Sequence, residues 1–525
     1  MLLHYKHLRL TRPKARFFMT FLEKEIIKFG SDGTGPLEKQ YFIDPTSPDG
    51  TRRLARLSKE VVDTLGKIYA YKGDWGRLWE EDRKTYKWLT STMQGEGEKR
   101  LRSLIGEILG KEFNTRRFDE QFMGQLHPQG SEAAFLGAMI GIFMNTNTIV
   151  KEVSIAEHEF EWEVLDWYAQ MFGYDKNEYS ANVVTGGTTA NLTALWVARD
   201  KTISKLKKEG KYRRGQNMVV IAGDMKHYSI DKSVRILGDN MLFDEAATRG
   251  FKTSPADVER RLKVCRDRGI PVAAVVGIAG ETETGLVDDL QALGIIAHRY
   301  GVHFHVDAAY GGPFILSEAS KLFKGIENAD SITVDPHKYG YVPYQCGIVL
   351  FRDRVDHALV QNGARYLQKA ENKGILGSRK DRNFGLSARV EGSMGSGGVI
   401  AAWLSMKLFE REGYAHLLNH GIALANHAYE SLLHSQVLRP LHQPELNGLL
   451  VGINADVNRK YRTKLVDQCR EQLFNETGIY IGETDNLDCG GGCFRTVFTH
   501  PFTNERHVDK MVQNLERIVR TNLKR

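Results

Sequence analysis

The stretch Ser331-Ile332-Thr333-Val334-Asp335-Pro336-His337-Lys338 joins a short β-branched run to an acid, a proline, an imidazole and an amine. The run reads as a buried strand that stops at Asp-Pro. Similar apolar runs lie on both sides of it: MVVIA at 218–222, VAAVVGIA at 272–279, VHFHV at 302–306 and GIVLF at 347–351. Each is bounded by Gly, Asp or Pro. Between them, 255–268 and 286–300 are amphipathic and of helical length, and Ser254-Pro255 supplies an N-cap followed by proline at the first helical position. Strand and helix alternating at this spacing predict βαβ units and a mostly parallel sheet. Ligands of such sheets bind at the carboxyl ends of the strands.

A chain of 525 residues exceeds what one hydrophobic core organises, so more than one domain is expected. Residues 1–110 hold charged, helix-prone stretches and read as an N-terminal helical arm or cap. Residues 111–390 carry the strand-helix pattern and form the large α/β domain. From 391 the pattern changes to long helices, strand candidates at 449–453 and 493–498 and a last helix over 507–523, which suits a small C-terminal α+β domain.

The net charge of +7 is spread along the chain without a dense basic stripe, so no nucleic-acid partner is expected. No window approaches the length of apolar sequence that spans a bilayer, and the N-terminus has no continuous apolar core of a secretory signal. Five cysteines in a chain this long argue for reduced thiols and a cytoplasmic protein. Cys489 and Cys493 lack zinc-ligand spacing, so a glycine turn between strands is expected there and no metal site.

Four features at predicted strand ends carry chemistry. Lys338 follows the 331–334 strand, where desolvation is expected to lower the amine's pKa and ready it for imine formation with an aldehyde. The bland alternative is a solvated strand-end lysine. Asp307 ends the 302–306 strand and is followed by Ala308-Ala309-Tyr310-Gly311-Gly312, small residues that leave room for a flat ring. Its carboxylate suits a protonated ring nitrogen, or it is only a turn aspartate. Thr185-Gly186-Gly187-Thr188-Thr189-Ala190-Asn191 opens a helical segment and reads as a phosphate cradle of backbone N–H groups and hydroxyls, or as a simple capped turn. No lysine follows the glycines, so it is not a P-loop. His227 follows the 218–222 strand and can stack on a flat cofactor, or is a satisfied polar residue. Together these supply a phosphate site, a ring-nitrogen partner, a stacking imidazole and an imine-forming amine. Pyridoxal 5'-phosphate needs all four.

The motifs TGGTTANLTAL, HYS, HVDAAYGG and DPHKYGYVPYQCG resemble the group II pyridoxal-phosphate-dependent amino-acid decarboxylases of fold type I, over about residues 120–500. The resemblance implies the PLP-dependent transferase-like fold, a homodimer, and Lys338 as the Schiff-base lysine. It implies Asp307 at the ring nitrogen, Ala309 beneath the ring, His227 stacked above it, and Gly187, Thr188 and Thr189 around the phosphate. His337 faces the phosphate side and Thr282 the ring hydroxyl. Arg495 matches an arginine that receives a substrate carboxylate in glutamate decarboxylases, and Gln125 is a further substrate-binding candidate. The run 335–344 is most similar to bacterial tyrosine decarboxylases, which implies Tyr344 in the substrate pocket and Tyr366 as the proton donor that ends the cycle. Two departures stand out: Asp335 replaces an asparagine of the animal aromatic decarboxylases, and 391–397 (EGSMGSG) differs at its centre from the usual Gly-Ser-Arg/Lys.

The expected reaction is loss of CO2 from an L-amino acid, with an aromatic substrate such as tyrosine favoured and glutamate or aspartate as the alternative. An aldehyde-lyase resembling sphingosine-phosphate lyase shares the strand-end His-Lys pair. An aminotransferase fits less well with a stacking His227. A binding module that has lost catalysis is disfavoured by retention of Lys338, Asp307 and His227.

Overall fold

A computed structural model describes residues 103–108, 120–128, 130–150, 153–360, 389–486 and 490–524, with isolated positions between 52 and 59 and at 111. Chain contacts divide it into two units, 1–117 and 118–525. In the first, 103–108 is helical. The second, 118–525, holds the sheets.

It begins with the short strand β1 (Phe122–Met123) and helices α1 (Glu132–Met144) and α2 (Ile155–Met171). Then come β2 (Ser180–Val184), α3 (Gly187–Lys208), β3 (Met218–Gly223), α4 (Ser229–Ile236), β4 (Met241–Ala246) and a small hairpin, β5 (Thr248–Arg249) and β6 (Lys252–Thr253). Next are α5 (Pro255–Asp267), β7 (Val272–Ile278), α6 (Leu290–Arg299), β8 (His303–Asp307), β9 (Ser331–Val334) and β10 (Gly347–Phe351). The expected N-cap is present, the Ser254 hydroxyl accepting from the Asp257 amide.

Seven of these strands form one sheet in the order β2-β10-β9-β8-β7-β3-β4. All pairings are parallel except those of β10, which runs antiparallel to both β2 and β9. Both faces are covered, as the continuous apolar runs require. In β3, Val219 and Ile221 join one core cluster, with residues of α2 and α6, whereas Met218, Val220 and Ala222 pack with Leu195 and Ala198 of α3. Because β2, β3, β7, β8 and β9 point the same way, their carboxyl ends share one edge. That edge receives Thr185–Gly187, His227, Glu281–Thr282, Asp307 and Asp335–Lys338.

After residue 389 the chain builds α7 (Gly397–Leu433), interrupted at Glu410, then β11 (Leu438–Pro440), β12 (Gly448–Ile453), α8 (Arg459–Thr477), β13 (Tyr480–Asn486), β14 (Gly491–Val497) and α9 (Glu505–Leu523). A second sheet has the order β1-β13-β14-β12-β11. Its core takes Leu424, Ala428 and Leu432 from the end of α7, Leu465 and Leu473 from α8, and Val508, Leu515 and Ile518 from α9. Near its start, α7 lies against α1 so closely that a Cβ at Gly137 or Gly141 would collide with the backbone of Ala401 or Gly397.

Candidate active site

Strand β9 ends at Val334, and the chain turns through Asp335-Pro336-His337-Lys338 before returning as β10. The Lys338 Nζ lies 3.1 Å from Asp335 Oδ2, and the lysine side chain is 17% exposed. Burial alone would depress this amine, but Asp335 and then Asp307 outweigh it and hold Lys338 above the ordinary lysine value. The sequence expectation of a lowered pKa is therefore reversed in the cofactor-free protein, because two carboxylates share its pocket. His337 accepts the Cys346 amide at Nδ1 (3.2 Å), so its proton is on Nε2, 3.4 Å from the same Asp335 oxygen. Asp335 is buried, and its Oδ1 has no hydrogen-bond partner among the described residues.

The glycine motif packs on this turn. Gly187 is the first residue of α3, and a Cβ there would lie 2.8 Å from Asp335 Oδ2 and 3.2 Å from the Ala309 Cβ. A Cβ on Gly186 would meet the His337 ring at 3.0 Å. The glycines thus let a helix N-terminus, with its uncompensated N–H groups, approach the lysine turn and Ala309. The cradle is braced from behind: the Thr185 amide and hydroxyl both donate to Glu391 Oε1 at 2.7 Å, and the Thr185 and Thr189 hydroxyls are 3.0 Å apart. Thr188 is exposed on the first turn of α3. Glu391 belongs to the 391–397 stretch noted for its departure in sequence, and bracing the cradle is what it does.

Asp307 closes β8 and is buried. Its Oδ2 accepts from Asn191 Nδ2 at 2.7 Å and its Oδ1 from the Ala309 amide at 3.2 Å. His227 is half-buried beside the same pocket; burial lowers its pKa, with Asp307 pulling the other way. A small floor at Ala309, a carboxylate, a facing imidazole, an amine and an anion-binding helix start fit a flat pyridine aldehyde bearing a phosphate. The fit rests on the two glycines, since any side chain there would fill the cradle.

Tyr344 lies against His337 with ring centroids 4.1 Å apart and planes tilted by 36°, and His127 meets Tyr344 edge-on at 5.2 Å. Burial together with the neighbouring His337 and Lys338 lowers the pKa of His127. Arg495 lies in β14, where Nη1 donates to the Thr282 carbonyl at 2.7 Å and Nη2 to the Gly124 carbonyl at 2.8 Å. Gln125, next in the chain, reaches the Tyr480 hydroxyl at 3.5 Å. Two groups therefore emerge. Lys338, His337, Asp307, His227, Ala309 and Gly187 gather at the sheet edge with Tyr344 on His337, and Arg495, Thr282 and Gln125 associate around the start of the second sheet. Tyr366 lies outside the described residues.

Asn191, Ser229, His305 and His127 were not singled out from the sequence. The alternation His303-x-His305-x-Asp307 was the available signal, because alternate strand residues share a face.

The sequence profile of the pyridoxal-dependent decarboxylase conserved domain matches residues 92–440. An aspartate 1-decarboxylase of Aliivibrio fischeri is 30% identical over 332 residues, 58% of this chain and 59% of that protein. An aromatic-L-amino-acid decarboxylase of Bacillus atrophaeus is 30% identical over 278 residues, 51% of this chain and 53% of that protein. The chain thus aligns with little more than half the length of these relatives. In structure, it is similar to the glutamate decarboxylase domain of a diaminobutyrate-pyruvate transaminase and L-2,4-diaminobutyrate decarboxylase from Vibrio parahaemolyticus, with a TM-score of 0.74 and 18% identity, covering 92% of this chain and 98% of the other.

Proposed function

The chain belongs to the pyridoxal-dependent decarboxylase family, and from that premise we propose that it removes the α-carboxyl group of an L-amino acid, releasing the amine and CO2. The observation that carries this reading is the gathering of Lys338, Asp307 and His227 beside a glycine cradle at one sheet edge.

Pyridoxal phosphate, when bound, supplies an aldehyde for an amine and a ring that absorbs the electron pair left as CO2 departs. The Gly187 backbone, with Thr188 and Thr189, would hold the phosphate, and Thr282 would serve the ring hydroxyl. Lys338 would supply the amine that holds the cofactor, and Asp335, its nearest carboxylate, keeps that amine protonated until then. Asp307 would hold a proton on the ring nitrogen. His227 and Ala309 would fix the ring plane, which would orient the scissile bond. Tyr366 delivers the proton that completes the amine.

For substrate we favour an aromatic amino acid such as tyrosine. Tyr344, His337 and His127 form an aromatic set beside Lys338, which suits a flat side chain. The second reading, an acidic substrate, is supported by the aspartate 1-decarboxylase relative. Against it, both terminal nitrogens of Arg495 already donate to backbone carbonyls, so this arginine acts as a brace.

The same proposal treats 1–110 as an arm, 111–390 as the cofactor-binding domain and 391–525 as the small domain. It pairs two copies of the chain through the outward face of α1, where Phe135, Leu136, Ile140, Ile142 and Phe143 are exposed. A cytoplasmic setting agrees with the buried free thiols of Cys265, Cys346, Cys469 and Cys493; among the described residues no helix is long and apolar enough to cross a membrane.

The test is a screen of the cofactor-loaded protein for CO2 and amine against each of the twenty amino acids. Amine from tyrosine or another aromatic residue is expected. Absence of CO2 with every substrate would overturn the decarboxylase reading.

A further inference from the structure

Strand β8 presents His303, His305 and Asp307 on one face, under the first turns of α3, and Ser331 of β9 lies in register with His305. Donors and acceptors along this buried face can be ordered without ambiguity, starting from the carboxylate. The Asp307 carboxylate accepts the Ala309 amide at Oδ1, and the Asn191 group 2.7 Å from its Oδ2 is the amide nitrogen, which donates to it. The second hydrogen of that nitrogen then goes to Ser229 Oγ at 2.9 Å. The Ser229 amide donates to His227 Nδ1 at 3.3 Å, so that nitrogen is an acceptor and the Ser229 hydroxyl donates to it at 2.8 Å.

On its other side, Asn191 Oδ1 accepts from His305 Nε2 at 3.0 Å. His305 therefore carries its proton on Nε2 and accepts at Nδ1 from the Ser331 hydroxyl, 2.8 Å away. The Ser331 oxygen in turn accepts from His303 Nε2 at 2.8 Å. Burial keeps His305 neutral, its pKa pushed down to about 4, as this ordering needs. Every hydrogen bond thus points the same way: from His303 through Ser331 and His305 into Asn191, and from Asn191 to both Asp307 and His227.

We propose that Asn191 is a positioning residue for the two side chains that face the cofactor ring, fixing the Asp307 carboxylate with one amide hydrogen and the His227 imidazole, through Ser229, with the other. This rests on the family reading of the pocket and deepens it. His305 is the residue that holds Asn191 in that orientation, because it alone donates to the amide oxygen in this network. The arrangement explains why a polar amide is buried on the sheet-facing side of α3 among Ala190, Ala194 and Leu195. Each of its three polar contacts is used, which avoids the cost of a buried unpaired group.

The test uses the full chain titrated with pyridoxal 5'-phosphate, following affinity, the visible absorption band and its induced circular dichroism. Asn191→Asp keeps the size but replaces the donating nitrogen with an oxygen, facing Asp307 with a second carboxyl. The expected result is a loss of cofactor affinity of about tenfold or more, the effect of one lost hydrogen bond to a buried charge. The visible band and its dichroism should change as well. His305→Leu should weaken affinity in the same direction, and His305→Gln, which keeps an N–H donor near the Nε2 position, should restore it. If Asn191→Asp does not fold, the His305 pair decides. A folded Asn191→Asp or His305→Leu protein with unaltered affinity, band and dichroism would overturn the proposal. Wild-type protein that takes up no cofactor would instead overturn the family reading, and this proposal with it.

Discussion

The amine of Lys338 and the carboxylate of Asp335 form an ion pair at 3.1 Å inside the pocket. The pair holds the amine protonated in the cofactor-free protein, and its contribution to stability is present below the ordinary lysine pKa and lost as pH rises through the raised one. Asp335→Asn should therefore lower the amine's pKa. At neutral pH the free-base fraction should rise about tenfold for each pKa unit lost. The rate at which the cofactor-free protein forms an adduct with pyridoxal, followed by absorbance across pH, checks this. An unchanged profile would mean that Asp335 does not govern the amine.

Gly187 has no room for a side chain, since a Cβ would lie 2.8 Å from Asp335 Oδ2. Gly187→Ala must push that carboxylate away from Lys338 or tilt the start of α3. Overpacking of this kind costs about 1–3 kcal/mol, which should appear as weaker pyridoxal phosphate binding by roughly ten- to a hundredfold. A spectrophotometric titration reads it directly.

Arg389 and Glu161 are buried together as an ion pair, and Glu161 also accepts the Val183 amide of β2, the strand that leads into the cradle. Arg389→Met leaves a buried carboxylate without its cation, at a cost of about 3–5 kcal/mol. Urea unfolding should show that loss. The double variant Glu161→Gln with Arg389→Met should recover part of it, because no uncompensated charge remains.

Burial raises the pKa of Glu281 to about 7, from an ordinary value of 4.5. Between those two pH values the folded chain binds more protons at this site than the unfolded chain, so its contribution to stability falls as pH rises and is constant above about 7. The size is roughly 3 kcal/mol over that window. Denaturant midpoints of the wild type should carry this decline from pH 5 to 7, and Glu281→Gln should remove it whatever its absolute stability.

The central strands of the large sheet are legible in the sequence because both faces are covered and the runs are almost wholly apolar. Others are not. β4 (MLFDEA) lies at the sheet edge, where Asp and Glu break the apolar pattern. β2 (SANVV) carries an Asn in five residues, and β1 has only two, paired with residues far along the chain. Nor does hydrophobic pattern encode strand direction. β10 is antiparallel because the lysine turn between it and β9 contains no crossover helix, and only an antiparallel neighbour can be reached that way. At the site, Lys338, Asp307 and the glycines stand at strand ends and announce themselves. Asn191 and His305 do not, since a buried amide and imidazole acquire a role only through partners on other elements.

Reduction of the cofactor-loaded protein with borohydride, followed by peptide mapping, tests the account most directly. It predicts loss of the visible band and a reduced pyridoxal-phosphate adduct on the peptide containing Lys338. A protein that stays colourless with pyridoxal phosphate, or whose adduct maps to another lysine, would contradict it.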